Sequence, residues 1–130
     1  MAIVKILPDT CAWIDFFNAR STFLSTAVET ALRSGASCTC GIVKYELAQG
    51  VKSKKEEHAL FAALQAVEHL EMTETLWIRA GQLAGGLRKQ GITIPLSDIL
   101  IATLALEHKA AVLTIDRHFS LIEGLQVVSG

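Results

Sequence analysis

Short apolar runs bounded by turn residues alternate along this chain with longer stretches whose apolar residues recur at helical spacing. The first run, Ile3 to Leu7, reads as a buried strand, which Pro8 ends by withholding a ladder N–H. A short helix over Cys11–Phe17 follows. Phe23, Leu24, Ala27, Val28, Ala31 and Leu32 then form one apolar stripe, with Ser21 as its N-cap and Gly35 as its stop. Ala36–Cys40 predicts a second strand, Gly41–Gln49 a helix closed by Gly50, and Lys54–Val67 a helix with Leu60, Phe61, Leu64 and Val67 inward. His69–Thr73 has the pattern of a weak third strand. From Glu74 to Gln90 the spacing of Leu76, Ala80, Leu83, Ala84 and Leu87 is helical, although Gly81, Gly85 and Gly86 each cost up to about 1 kcal/mol against Ala. Either something packs close there or the helix bends. Ser97 is placed to cap a helix reaching about Lys109. Ala111–Thr114 predicts a strand, Asp116–Ser120 a turn of helix, and Leu125–Val128 a last strand.

Strands alternating with helices predict an α/β fold, an open parallel sheet with helices on both faces. The chain of 130 residues reads as one domain spanning 1–130, long enough to bury a core without disulfides or a structural metal. In such a sheet ligands bind beyond the carboxyl ends of the strands, where Asp9 follows the first one.

Composition narrows the setting. Hydrophobic residues make up 51% of the chain, rich for a small domain, which predicts a covered helix face and hence a homodimer or a complex. Lys5 and Asp9 interrupt the first apolar run, so no secretory signal is read, and no stretch suits a membrane helix; the expected location is cytoplasmic, with no membrane partner. The three cysteines, Cys11, Cys38 and Cys40, lack zinc-ligand spacing and read as small buried hydrophobes. Net charge is −1, which alone argues against a nucleic-acid binder.

The carboxylates qualify that. Asp9, Asp98 and Asp116 follow strands or open helices, and each is explicable singly as a cap. Glu46 is not. It falls between Ile42 and Val43 on the apolar face of its helix, where an unpaired carboxylate costs several kcal/mol, so a cation or hydrogen-bond donor should meet it. If the sheet closes as read, all four acids converge. Two such charges 5 Å apart repel by roughly 3 kcal/mol at an effective dielectric of 20, and a divalent cation resolves the conflict. Oxygen ligands without histidine or thiolate suit Mg2+ or Mn2+. Ala102 and Ala105 leave room beneath Asp98 on a helix apolar nearly all round, which is either wholly buried or shared between core and dimer face.

Leu7-Pro8-Asp9-Thr10, Tyr45-Glu46-Leu47-Ala48-Gln49-Gly50, Leu96-Ser97-Asp98-Ile99-Leu100-Ile101-Ala102 with Leu106-Glu107-His108, and Leu113-Thr114-Ile115-Asp116-Arg117-His118-Phe119 together resemble a PIN domain. Within that family the chain is most similar to VapC-type toxins of prokaryotic toxin–antitoxin pairs. The resemblance implies four to five parallel strands in the order 3-2-1-4-5. It also implies a metal-dependent endoribonuclease whose acidic set is Asp9, Glu46, Asp98 and Asp116, supported by Thr10 and Thr114. Asp9, Asp98 and Asp116 would serve mainly the metal, Mg2+ or Mn2+, and Glu46 a second metal or the nucleophile. The expected chemistry is in-line attack of a metal-activated water on RNA, leaving 5′-phosphate and 3′-hydroxyl ends. The expected partners are the RNA substrate and a small VapB-like antitoxin covering the acidic groove. One departure stands out: Cys40-Gly41-Ile42-Val43 occupies the turn where many relatives carry Ser or Thr.

Setting the four acids aside leaves nine acidic against twelve basic residues, so the remaining surface is mildly basic. Lys52, Lys54 and Lys55 are the foremost candidate phosphate contacts, ahead of Arg20, Arg88, Lys89 and Arg117. The four histidines form no site of their own, although His118 could approach substrate. Two readings compete. A phosphatase or receiver domain would want a second acid beside or two residues after Asp9, and Thr10-Cys11 supplies none. A catalytically silent or RNA-binding module would keep the fold and use the acids as caps.

Overall fold

A computed structural model of the chain describes residues 4–129. Five short strands alternate with six helices: β1 Ile6–Pro8, α1 Thr10–Phe17, α2 Phe23–Ser34, β2 Cys38–Cys40, α3 Gly41–Gly50, α4 Lys54–Leu64, β3 Glu68–Leu70, α5 Glu74–Lys89, α6 Leu96–His108, β4 Ala111–Leu113 and β5 Gln126–Val128. A 3₁₀ turn, Arg117–Leu121, joins β4 to β5. Every strand pair is parallel, β1 with β4, β4 with β5 and β2 with β3. A single bridge, Ile6 to Ser37, ties the two groups into the order 3-2-1-4-5.

That seam is thin for a reason visible in the sequence. Ile6 donates its N–H to Ala36 O at 2.8 Å, toward β2, whereas Asp9 donates to Leu113 O at 2.9 Å, toward β4. Pro8 faces the same side as Ile6 and has no N–H to continue the ladder. Pro8 therefore weakens the join to β2 while leaving the β4 side intact.

Several boundaries differ from the sequence reading. Thr22, not Ser21, caps α2, accepting from the Ser25 N–H at 3.1 Å. α6 opens one residue before Ser97, on Pro95, whose carbonyl takes the Ile99 N–H at 3.0 Å, and no side chain caps it. β3 stops at Leu70 and cannot reach Thr73, because Thr73 caps α5 by accepting from the Leu76 N–H at 3.3 Å. α4 likewise ends at Leu64, three residues short of Val67. Residue Ile3 of the first apolar run lies outside the described residues.

α6 is the central helix: every residue from Asp98 to Ala105 is buried, while Leu96 and Leu106 toward its two ends are exposed. Trp13, stacked on Phe17 at 5.8 Å, and Phe119 are the largest side chains fully enclosed with it. The cysteines are free, with Cys38 and Cys40 buried as expected. Burial pushes the Cys38 thiol up to about 12, and it donates to Ile6 O at 3.2 Å. On α5, a Cβ at Gly81, Gly85 or Gly86 would meet nothing within 4 Å, so nothing in the chain itself packs close there. Trp77 and Ile78 on the same helix are half exposed. Among the described residues no helix is long and apolar enough to cross a membrane.

Candidate active site

The four predicted acids arrive at the carboxyl edge of the sheet from four separate elements. Asp9 leaves β1 in extended backbone and caps α1, its Oδ1 accepting from the Thr10 N–H at 2.8 Å. Asp116 caps the 3₁₀ turn after β4 and accepts from the His118 N–H at 2.9 Å. Asp98 lies in the first turn of α6, and Glu46 near the middle of α3. The capping explanation thus holds for Asp9 and Asp116. It leaves unexplained why the caps cluster.

Two threonines join the acids. Thr114, fully buried at the end of β4, donates its hydroxyl to Asp9 Oδ2 at 3.0 Å and accepts the Asp116 N–H at 2.9 Å. One hydroxyl therefore sets the spacing of two carboxylates. Thr10 donates to Glu46 Oε1 at 2.6 Å, which is the donor the position of Glu46 demanded. The Cys11 thiol lies 3.8 Å from Asp9 Oδ2, and burial keeps it protonated by raising its pKa. Cys40, in the turn where a Ser or Thr was expected from relatives, makes no capping bond to α3.

Charge is left unbalanced. Among the described residues, no Lys or Arg pairs with any of the four acids; Lys5, Arg20, Arg33 and Arg79 pair instead with Glu68, Asp15, Glu29 and Glu107. Burial raises the Asp9 pKa above the ordinary carboxylate value, opposed by its bonds from Thr10 and Thr114 and reinforced by the charges of Glu46 and Asp116. Burial also raises that of Asp98, while the hydrogen bond from His118 acts against the rise.

His118 is the residue the sequence reading missed as a member of the cluster. Its Nδ1 lies 3.1 Å from both Asp98 Oδ2 and Asp116 Oδ1. The hydrogen bond to Asp98 leads the causes that raise its pKa, so the imidazolium form is favoured. Ligand atoms of Asp98, Asp116 and His118 all lie within 4.8 Å of one another, a set that Asp9 adjoins through Thr114 without entering. The premise that oxygen ligands stand here without histidine is thereby corrected. A signal existed: Asp116 opens a turn, and position +2 of that turn folds back over the cap while Phe119 anchors it in the core.

Lys52, Lys54 and Lys55 are all exposed. Lys52 lines a groove between α1 and α3 that also contains Glu46, Asn18, Ile14 and Val51. Lys54 and Lys55 begin α4, and Arg20 is engaged by Asp15.

Comparison with known proteins gives one consistent answer. The chain is 25% identical over 101 residues to Ribonuclease VapC21 of Mycobacterium tuberculosis, covering 75% of this chain and 73% of that protein. It is 26% identical over 121 residues to Ribonuclease VapC11 of the same organism, covering 90% of each. Among solved structures it resembles a chain of VapBC2 from Rickettsia felis bound to a promoter DNA fragment, with TM-score 0.80, 19% identity and coverage of 98% and 99%. It also resembles a chain of VapBC-1 from nontypeable Haemophilus influenzae, with TM-score 0.78, 25% identity and coverage of 97% and 98%. The PIN domain family model matches residues 6–125, from the first residue of β1 to the approach to β5, and the chain belongs to the PIN domain family.

Proposed function

We propose that this chain is a metal-dependent endoribonuclease, the toxin of a toxin–antitoxin pair, with Asp9, Glu46, Asp98 and Asp116 as its acidic set. The observation that carries the reading is the convergence of these acids from four elements with, among the described residues, no Lys or Arg paired to them. Burial first, and the charges of neighbouring acids after it, raise the pKa values of Asp9 and Asp98, so holding these groups here has a cost. The relatives named ribonucleases and the VapBC complexes that share the fold support the choice of substrate and partner.

The donor set fits a small divalent cation, Mg2+ or Mn2+, held by Asp98 and Asp116 with Asp9 beside them. Such an ion, when bound, supplies a water of lowered pKa and offsets charge building on the phosphoryl oxygens. The chain's own residues do the rest. Thr114 keeps Asp9 and Asp116 in register; Thr10 aims Glu46, which is free to accept a proton or orient the nucleophile. Lys52, Lys54 and Lys55 contact RNA phosphates on the Glu46 side.

A VapB-like antitoxin covers the acidic groove. The open glycine face of α5, flanked by Trp77 and Ile78, is the face for a homodimer. The deciding experiment is cleavage of a mixed RNA pool by the purified chain with Mg2+, with Mn2+, with EDTA, and with Asp98→Asn in parallel. Cutting that needs the ion and Asp98 is the expected result. A folded chain that neither cuts nor binds Mn2+ returns the acids to capping and sinks the nuclease reading.

A further inference from the structure

We infer that His118 is a direct ligand of the divalent ion through Nδ1, and that this nitrogen makes the site select Mn2+ over Mg2+. The inference rests on the metal-dependent reading above and goes beyond it, since the family resemblance supplies four acids and no imidazole.

The geometry starts from the turn after β4. Asp116 caps it, the His118 N–H is held on Asp116 Oδ1 at 2.9 Å, and the next residue, Phe119, is fully enclosed in the core. The backbone beneath the imidazole is thus fixed on two sides. Its Nδ1 points inward, equidistant at 3.1 Å from one oxygen of Asp98 and one of Asp116. A nitrogen equidistant from two carboxylates lies where it can share an ion with both, and the three donor atoms span no more than 4.8 Å. No other described histidine has such a position; His69 on β3, for example, is engaged by Lys44 of α3 and by Glu71 just beyond its own strand.

An imidazole nitrogen contributes more to a transition-metal ion than to Mg2+, which favours oxygen ligands and retained waters. Two carboxylates alone would discriminate weakly between Mg2+ and Mn2+. Adding His118 tilts the choice.

The test uses the full chain, stripped of metal and loaded with one equivalent of Mn2+. Electron spin-echo envelope modulation reads nitrogen bound directly to Mn2+, and the expected result is a strong imidazole ¹⁴N modulation in the wild type that disappears in His118→Asn and His118→Ala. Titration followed by the free Mn2+ signal should show Mn2+ affinity falling about 10- to 100-fold in both variants. Mg2+ affinity, read by competition, should change much less. Circular dichroism confirms the fold of each variant, and His118, being only partly buried, is a position the core does not depend on. Asp98→Asn is the control that Mn2+ occupies this site. Mn2+ held by Asp98 without ¹⁴N modulation, or with modulation that survives in His118→Ala, overturns the ligand assignment and leaves the metal-dependent reading intact. Equal wild-type affinity for the two ions overturns the selectivity. A wild type that binds no Mn2+ overturns both this inference and the reading it rests on.

Discussion

The two halves of the acidic site are held by different chemistry. Asp9 and Glu46 are fixed by neutral donors, the hydroxyls of Thr114 and Thr10 and one backbone N–H. Asp98 and Asp116 are bridged by a titratable ring, His118. Hydroxyls set where carboxylate oxygens lie and leave the charge in place; an imidazolium removes charge but occupies the positions an ion would use. The first half is therefore held by donors that carry no charge of their own, and the second by a ring that can carry one. Neutralising an acid in either half should cost the most. Asp9→Asn and Asp98→Asn should each lower RNA cleavage on the order of 10²- to 10³-fold. Only Asp98→Asn should also strip the Mn2+ site of its binding, because Asp9 lies outside the tight donor set. Equal loss of metal in both would erase the distinction between the halves.

The turn that carries Asp116 and His118 depends on one apolar side chain. Phe119 is fully buried and pins it. Phe119→Ala should destabilise the chain by about 3–5 kcal/mol in denaturant unfolding, the usual range for emptying such a site. The Asp9–Thr114 half is built on β1 and β4 and should keep its geometry in whatever fraction stays folded.

Thr114 is the one residue that belongs to both halves, since its hydroxyl donates to Asp9 and receives from the N–H of Asp116. Thr114→Val keeps the shape and deletes both bonds, leaving the part-buried Asp116 N–H without that acceptor and the buried Asp9 Oδ2 with only the Cys11 thiol beside it. A loss of about 1–3 kcal/mol is expected. Cleavage should fall about 10- to 100-fold, as for a residue that positions a ligand through another. Thr114→Ser should restore most of both. If Val matches wild type, the hydroxyl is not what spaces the acids.

These contrasts show what could be seen in the chain beforehand. The alternation of strands and helices was legible from Pro8, Gly35 and the apolar periods, and Asp9, Asp98 and Asp116 stood out because each follows a strand or opens a helix; Glu46 stood out by its place on an apolar helix face, and the strand order came from the family resemblance. Boundaries slipped where two capping residues adjoin, as at Ser21 and Thr22, since either hydroxyl satisfies the same N–H. The role of Thr10 was recoverable from Glu46, whose apolar helix face demanded a donor. His118 was harder. Its place depends on a turn that folds the chain back by two residues, and sequence period says nothing about such a return. The exposed glycine face of α5 was legible only as a choice between a close neighbour and a bend.

Acidity should separate the halves with smaller effects. Without an ion, burial raises Asp9 and Asp98, and the bond to Asp98 leads the rise of His118, so the folded chain holds protons to higher pH than the unfolded one. Stability then falls as pH rises. For His118 the contribution is fully present below its unfolded value of 6.5 and is lost as pH rises through its raised folded value. For the two carboxyls the folded state is penalised once pH exceeds their raised values, and the penalty lifts on acidification toward 3.8. The melting temperature of the chain in EDTA should therefore rise between about pH 8 and about pH 6, where histidine titrates. His118→Ala should flatten that rise. Asp9→Asn should change it less, because the bonds that hold the proton on His118 come from Asp98 and Asp116.

The smallest effects concern where RNA lies. Lys52 shares a groove with Glu46, which places it on the hydroxyl half, while Arg117 stands beside Asp116 on the imidazole half. A lysine that contacts one phosphate of single-stranded RNA should reduce the slope of log affinity against log salt by about 0.7 on removal. Lys52→Ala should do so, raising KM a few-fold with kcat unchanged, as expected where a contact positions substrate without touching the reacting bond. Lys54→Ala and Lys55→Ala should matter less, since Glu56 and Glu57 follow them in the first turn of α4 and offset their charge. If Arg117→Ala moves the slope and Lys52→Ala does not, the strand enters over the imidazole half and not along the Glu46 groove. Glu46 would then face the leaving side of the phosphate, and its proton-accepting role would pass to another group.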